Sequence, residues 1–229
     1  MSGVPAPAAS ARVQTARLYA LTPDAEPERV VELVAAWCEG GVDLVQLRHK
    51  ALERAGLLRL AGRLRDICRP HGVPLIVNDH LDIALLSGAD GVHLGEDDLS
   101  LADAERALQN VGSRRIIVGA SASSIAAAQA AERAGADYVG AGPAYATPIK
   151  AEKAAMGPEG VRAIQDAVRI PVFAIGGIGP GNVEELKAHG IDRVCIIRAL
   201  SEVPDPAAEA RRLRTLLHSG TGPKRPDGS

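Results

Sequence analysis

Aromatic residues are scarce in this 229-residue chain: one Trp, one Phe and three Tyr make up 2% of it. Platforms on which nucleic-acid bases could stack are therefore missing. A basic footprint is missing as well, since 26 Lys plus Arg stand against 28 Asp plus Glu. Together these absences exclude a nucleic-acid partner. The three cysteines, Cys38, Cys68 and Cys195, are far apart and set in apolar or helical surroundings. They make neither a disulfide framework nor a ligand cluster, and the cytoplasm is the expected compartment. No apolar run reaches the roughly 18 residues that a membrane span needs, so no membrane partner is expected. At 46% hydrophobic and 24% charged, the chain has the composition of a soluble globular protein and not of a disordered one.

What is present is a regular alternation. Short β-rich apolar runs at 17–21, 43–48, 74–78, 91–94, 115–121, 137–142, 171–175 and 193–197 are separated by longer stretches of helical period, the pattern of parallel strands covered by helices. Gly-x-Asp-x-Val occurs four times, at 41–45, 88–92, 135–139 and 190–194, with spacings of 47, 47 and 55 residues. Each copy closes a helix with Gly, puts Asp in the turn and opens a strand, so the repeating unit is two βα pairs. Four units give eight strands and favour a closed (β/α)₈ barrel, an α/β TIM barrel, over an open sheet. One domain is expected over 16–217. The Ala/Pro/Ser-rich start (1–15) reads as a flexible tail and not a signal peptide, and 218–229 reads as a second tail.

In such a barrel the site lies at the C-terminal ends of the strands. After the second strand, Gln46, Arg48 and Lys50 alternate on one side of an extended segment and bring two cations and an amide together. The third strand ends in Asn78 and Asp79, and the fourth runs into Gly95-Glu96-Asp97-Asp98. Oxygen ligands from neighbouring strand ends suit Mg²⁺ shared with a substrate phosphate, although Asp98 or Ser100 could instead cap the next helix. His93 reads as a hydrogen-bonded interior residue. Ser121, at the end of the fifth strand, offers a hydroxyl to phosphate or metal water, with a helix cap as the alternative. The long loop after the sixth strand carries Thr147 and Lys150, the latter read as a phosphate contact. Gly176-Gly177 and Arg198, after the seventh and eighth strands, stand where many barrels bind phosphate through backbone N–H groups. The site thus calls for two anionic groups and one metal.

Four motifs in order, VQLRHK (45–50), NDHLDIALLSGADGVHLGEDDL (78–99), GAGPAYATPIK (140–150) and IPVFAIGGI (170–178), resemble those of the thiamine phosphate synthases. The resemblance spans about residues 18–217. It implies a TIM barrel that joins hydroxymethylpyrimidine diphosphate to hydroxyethylthiazole phosphate, with Mg²⁺, in a dissociative substitution. By motif position it implies that Gln46, Arg48, Lys50, Asn78 and Lys150 hold the diphosphate and that Asp79 and Asp98 hold the metal. Ser121 would stand near the diphosphate, Thr147 near the thiazole phosphate, and Gly177 would give that phosphate a backbone N–H. Catalysis would rest on Arg48, Lys50, Lys150 and Ser121.

Two positions depart from the family pattern. Ser123 stands where the family commonly has His, the residue to which the related thiazole tautomerases owe proton transfer, and Arg198 stands where the family usually has Ser. A guanidinium at 198 would either grip the thiazole phosphate or fill its pocket, and the grip is expected, on the ground that a buried unpaired Arg is costly. Three readings are carried forward: the synthase, a related phosphate-binding barrel enzyme with another substrate, and a non-catalytic or regulatory homologue of the tautomerase branch. A homo-oligomer is compatible with each.

Overall fold

The computed structural model describes residues 9–111, 116–147 and 154–219. Eight parallel strands close on themselves in sequence order: β1 (Leu18–Leu21), β2 (Leu44–Leu47), β3 (Leu75–Asn78), β4 (Gly91–Leu94), β5 (Ile117–Ala122), β6 (Tyr138–Ala141), β7 (Val172–Ile175) and β8 (Val194–Ile196). Each pairs in parallel with its neighbour, and β8 returns to β1 through Leu18–Val194, Tyr19–Cys195 and Ala20–Ile196. Helix α1 (Ala9–Thr15) precedes the barrel. The connecting helices are α2 (Pro27–Gly40), α3 (Arg54–His71), α4 (Leu81–Ser87), α5 (Leu101–Asn110), α6 (Ile125–Arg133), α7 (Gly157–Ala167) and α8 (Val183–Ala188), and α9 (Arg198–Ser201) and α10 (Pro206–His218) close the chain. This is the expected TIM barrel. Among the described residues no helix is long and apolar enough to cross a membrane.

The repeated Gly-x-Asp-x-Val has a structural reason. Gly41, Gly88, Gly135 and Gly190 all have positive φ, from 69° to 88° in the first three and 74° in the last, which side-chain-bearing residues rarely adopt. The Asp that follows reaches back to the start of the preceding odd-numbered strand. Asp43 accepts the N–H groups of Arg17 and Leu18 at 2.8 and 2.9 Å, Asp90 that of Leu75 at 3.0 Å, and Asp137 that of Val118 at 2.8 Å. Asp192 instead pairs with Arg17 at 3.4 Å. The first three copies therefore satisfy strand-end donors that no ladder bond reaches.

Strand residues alternate between two cores. Leu18, Ala20, Val45, Leu47, Leu75 and Val77 face the helices, while Tyr19, Leu21, Leu44, Ile76, Ile117, Tyr138, Phe173 and Cys195 fill the barrel. Three of the five aromatic residues thus share the interior, with Phe173 edge-on to both tyrosines at 5.5 Å between ring centroids. Val13 joins this inner cluster and is fully buried, so α1 closes the N-terminal end of the barrel. Residues 9–15, expected as tail, are here part of the barrel. At the other end His218 completes α10, and 220–229 lie outside the described residues.

Candidate active site

The C-terminal ends of the strands open into two adjoining cavities of about 360 Å³ each. They share Gly142, Ile175, Cys195 and Ile197 as a common apolar waist. Gln46, Arg48, Lys50, Asn78, Asp79, Asp98 and Ser121 line one cavity, and Thr147, Gly177 and Arg198 line the other. Sequence positions up to 152 residues apart, Gln46 and Arg198, are thereby sorted into a charged chamber and a glycine-walled one. Lys150 lies outside the described residues.

In the charged chamber the two cations are held by carboxylates. Lys50 Nζ donates to Asp79 Oδ2 at 2.6 Å, and the Arg48 guanidinium donates to Asp24 Oδ2 at 2.9 Å. Asp24 also accepts the backbone N–H of Lys50 and lies 3.9 Å from His49 Nδ1. Partial burial works against its ionisation, yet the Lys50 N–H and the Arg48 guanidinium outweigh this and hold its carboxyl below the usual range. Thr22 continues the β1–β2 pairing past the strands, giving its hydroxyl to the Arg48 carbonyl at 2.7 Å and accepting the Arg48 N–H at 2.9 Å. Sequence reading missed both Asp24 and Thr22, because their roles appear only when the β1 loop meets the end of β2. Gln46 does not join the cations: it is buried on the chamber floor and donates to Tyr19.

Asp79 has φ +64°, the one positive φ outside glycine among the described residues. A non-glycine residue there costs on the order of 1 kcal/mol or more, and such strain tends to sit at functional positions. Its N–H donates to the His93 carbonyl at 2.8 Å, which turns the carboxyl toward Asp98 and Lys50. Desolvation and the adjacent Asp79 carboxyl push the Asp98 pKa up, while the Gly95 N–H at 2.7 Å and Lys50 pull the other way. The capping alternatives are resolved by two other serines. Ser100 caps α5 through Asp103 N–H and Ser124 caps α6 through Ala127 N–H, so Asp98 and Ser121 are left to the chamber. Among the described residues no three His, Cys, Asp or Glu side chains gather as metal ligands. Two close carboxylates, incompletely balanced by one Lys, still fit a hard divalent cation whose shell is completed by substrate oxygens and water.

The second cavity is shaped by backbone. Gly176 and Gly177 have φ of +101° and +65°, and a Cβ at Gly177 would stand 2.7 Å from the Ala146 carbonyl oxygen. The β6 and β7 loops press together here, with Ala144 N–H on the Ile175 carbonyl and Tyr145 N–H on that of Gly176. Asn182, also missed in the sequence, turns its side chain back on the loop: Oδ1 accepts from Gly179 N–H and Nδ2 donates to the Gly177 carbonyl, each at 2.9 Å.

Comparison with known proteins decides the family. The family model described as thiamine monophosphate synthase matches residues 18–200. The chain belongs to the thiamine monophosphate synthase family. Its relatives include a thiamine-phosphate synthase of Albidiferax ferrireducens, 37% identical over 95% of this chain and 99% of that one. A thiamine-phosphate synthase of Gloeobacter violaceus is 45% identical over 85% of this chain, and a bifunctional ThiM/ThiE protein of Symbiobacterium thermophilum is 43% identical over 86%. This chain spans only 55% and 40% of those two longer proteins. Among solved structures, thiamine phosphate pyrophosphorylase from Pyrococcus furiosus superimposes with a TM-score of 0.80 at 33% identity, covering 90% of this chain and 97% of that one. A 3-hexulose-6-phosphate synthase, TM-score 0.69 at 22% identity, shares the fold.

The two departures from the thiamine monophosphate synthase pattern have clear places. Ser123 donates to Glu96 Oε1 at 2.5 Å and ties the β4 loop, which carries Asp98, to the end of β5. Arg198 opens α9 with an exposed side chain that makes no ion pair among the described residues. It was expected to be buried and is not, because the strand has already ended and the side chain leaves from the rim. It lines the glycine-walled cavity without filling it.

Proposed function

We propose that this member of the thiamine monophosphate synthase family joins hydroxymethylpyrimidine diphosphate to hydroxyethylthiazole phosphate, giving thiamine phosphate and diphosphate. The observation that carries the reading is the pair of chambers meeting at an apolar waist. The charged chamber suits a diphosphate and the glycine-walled chamber a monophosphate. In this reading Arg48, Lys50 and Asn78 hold the diphosphate from the strand ends, Gln46 holds the pyrimidine half from the floor, and Lys150 adds a further cation. Asp79 and Asp98 hold Mg²⁺, which when bound would neutralise charge on the departing diphosphate. Thr147, the Gly177 backbone and Arg198 hold the thiazole phosphate.

No strong general base is required of these residues. As the C–O bond to diphosphate breaks, charge grows on its oxygens, and Arg48, Lys50, Lys150 and the Ser121 hydroxyl are the donors that meet it. The waist of Gly142, Ile175, Cys195 and Ile197 offers no ionised group, which favours attack by the thiazole nitrogen over attack by water. Steady-state diphosphate release tests the reading. It should require both substrates and a divalent cation; release that ignores the thiazole phosphate would overturn it.

A further inference from the structure

A line of hydrogen bonds crosses the barrel interior and ends in the charged chamber. Gln46 Nε2 meets Tyr19 Oη at 2.8 Å, Tyr19 Oη meets Tyr138 Oη at 2.8 Å, Tyr138 Oη meets His93 Nδ1 at 3.1 Å, and His93 Nε2 meets Ser121 Oγ at 3.2 Å. Its five members come from β2, β1, β6, β4 and β5. Tyr19 and Tyr138 have no solvent exposure, and burial pushes both phenols up and out of titration, so each stays neutral with one proton to give.

The first link sets the direction of all the others. An amide nitrogen only donates, so the Tyr19 oxygen accepts from Gln46 and its single proton goes to Tyr138. Tyr138 then gives its own proton to His93 Nδ1. That nitrogen must be bare, and the ring proton sits on Nε2, where it is donated to Ser121 Oγ. The Ser121 proton is last in line, and with no further acceptor for it among the described residues it is left to the cavity that Ser121 lines. If Nδ1 carried the ring proton while Gln46 kept this orientation, one of the two phenol oxygens would accept twice and the fully buried O–H of that tyrosine would lack a partner, which proteins avoid. The whole line can run backwards only if the Gln46 amide is turned over. Ser121 would then spend its proton on His93 and present lone pairs to an anion.

We propose that His93 is a positioning residue, fixed by Tyr138 as the neutral Nε2–H tautomer, whose task is to turn the Ser121 hydroxyl proton toward the substrate diphosphate. The tautomer follows from the geometry alone; the task rests on the function proposed above. Each has its own test. In ¹⁵N-labelled whole protein, with the His93 signals assigned by their loss in His93→Gln, Nε2 should appear as the protonated nitrogen and Nδ1 as the bare one, with or without turnover. A protonated Nδ1 would overturn the direction of the line. Tyr138→Phe keeps the ring and removes the donor, and it should mix the two tautomers; an unchanged spectrum would show that Tyr138 does not set the state.

For the task, His93→Ala should lower kcat by on the order of 10²-fold in the parent, as loss of one aimed donor does, with KM nearly constant. In a Ser121→Ala background the same substitution should cost less than roughly threefold, because the group it acts through is gone. His93→Gln, which can return a donor near Nε2, should recover most of the loss in the parent. Equal losses in both backgrounds, or no recovery by Gln, would show a merely structural histidine. Absence of thiamine phosphate from the parent, with the tautomer as stated, would count against the function and leave the geometry standing.

Discussion

Gly119 tests how tightly the barrel interior holds its hydrogen-bonded line. A Cβ at this β5 position would stand 2.1 Å from Tyr138 Cζ and 2.4 Å from its Cε1 and Oη. Ordinary carbon contacts lie near 3.5 to 4.0 Å, so the ring would have to move by roughly 1.5 Å. It has little room to do so: Tyr19 and Phe173 stand edge-on to it, and its hydroxyl is engaged by Tyr19 and His93. Overpacking of this kind costs about 1 to 3 kcal/mol, and loss of the bond to His93 adds about 1 kcal/mol. For a domain of this size that corresponds to a fall in Tm of roughly 5 to 15 °C. Gly119→Ala should therefore unfold earlier in a thermal or denaturant melt. The variant that remains folded should have a lower kcat, because Ser121 is no longer aimed. A variant as stable and as active as the parent would refute the packing argument and, with it, the placement of Tyr138.

Three further outcomes are expected. Asp98→Asn should lower turnover by more than roughly 10²-fold with little change in Tm, since the side chain is exposed and, in the proposed function, would hold the metal; full activity in excess chelator would remove the metal from the account. Arg198→Ser should raise KM for the thiazole phosphate by about tenfold while kcat is preserved, the size of one partly exposed charge-assisted hydrogen bond. Tighter binding by that variant would show that Arg198 obstructs the pocket. Asp43→Ala strands the N–H groups of Arg17 and Leu18 and should cost about 2 kcal/mol in a denaturant melt, with kcat unchanged because the defect lies at the opposite end of the barrel.

The strands were legible because their signal is local. Each is a short apolar run whose neighbours are helical, and the four Gly-x-Asp turns mark every second one; β2 was expected at 43–48 and is Leu44–Leu47. The residues of the mouth were legible for a related reason, since position at a strand end gives them their meaning. Helix α1 was not, because nothing in its Ala- and Ser-rich composition announces that Val13 closes a barrel formed by residues far along the chain. Asp24 and Asn182 escaped as well. Each is an ordinary loop residue until a loop from another strand, or its own loop folding back, supplies its partners. The line from Gln46 to Ser121 draws on five strands, and no local pattern could show it.

The most direct measurement is the mass of the product. Purified protein incubated with hydroxymethylpyrimidine diphosphate, hydroxyethylthiazole phosphate and Mg²⁺ should yield thiamine phosphate in equal amount to the diphosphate released. Folded protein that binds both substrates and forms no thiamine phosphate, or that yields only the pyrimidine alcohol, would contradict the account.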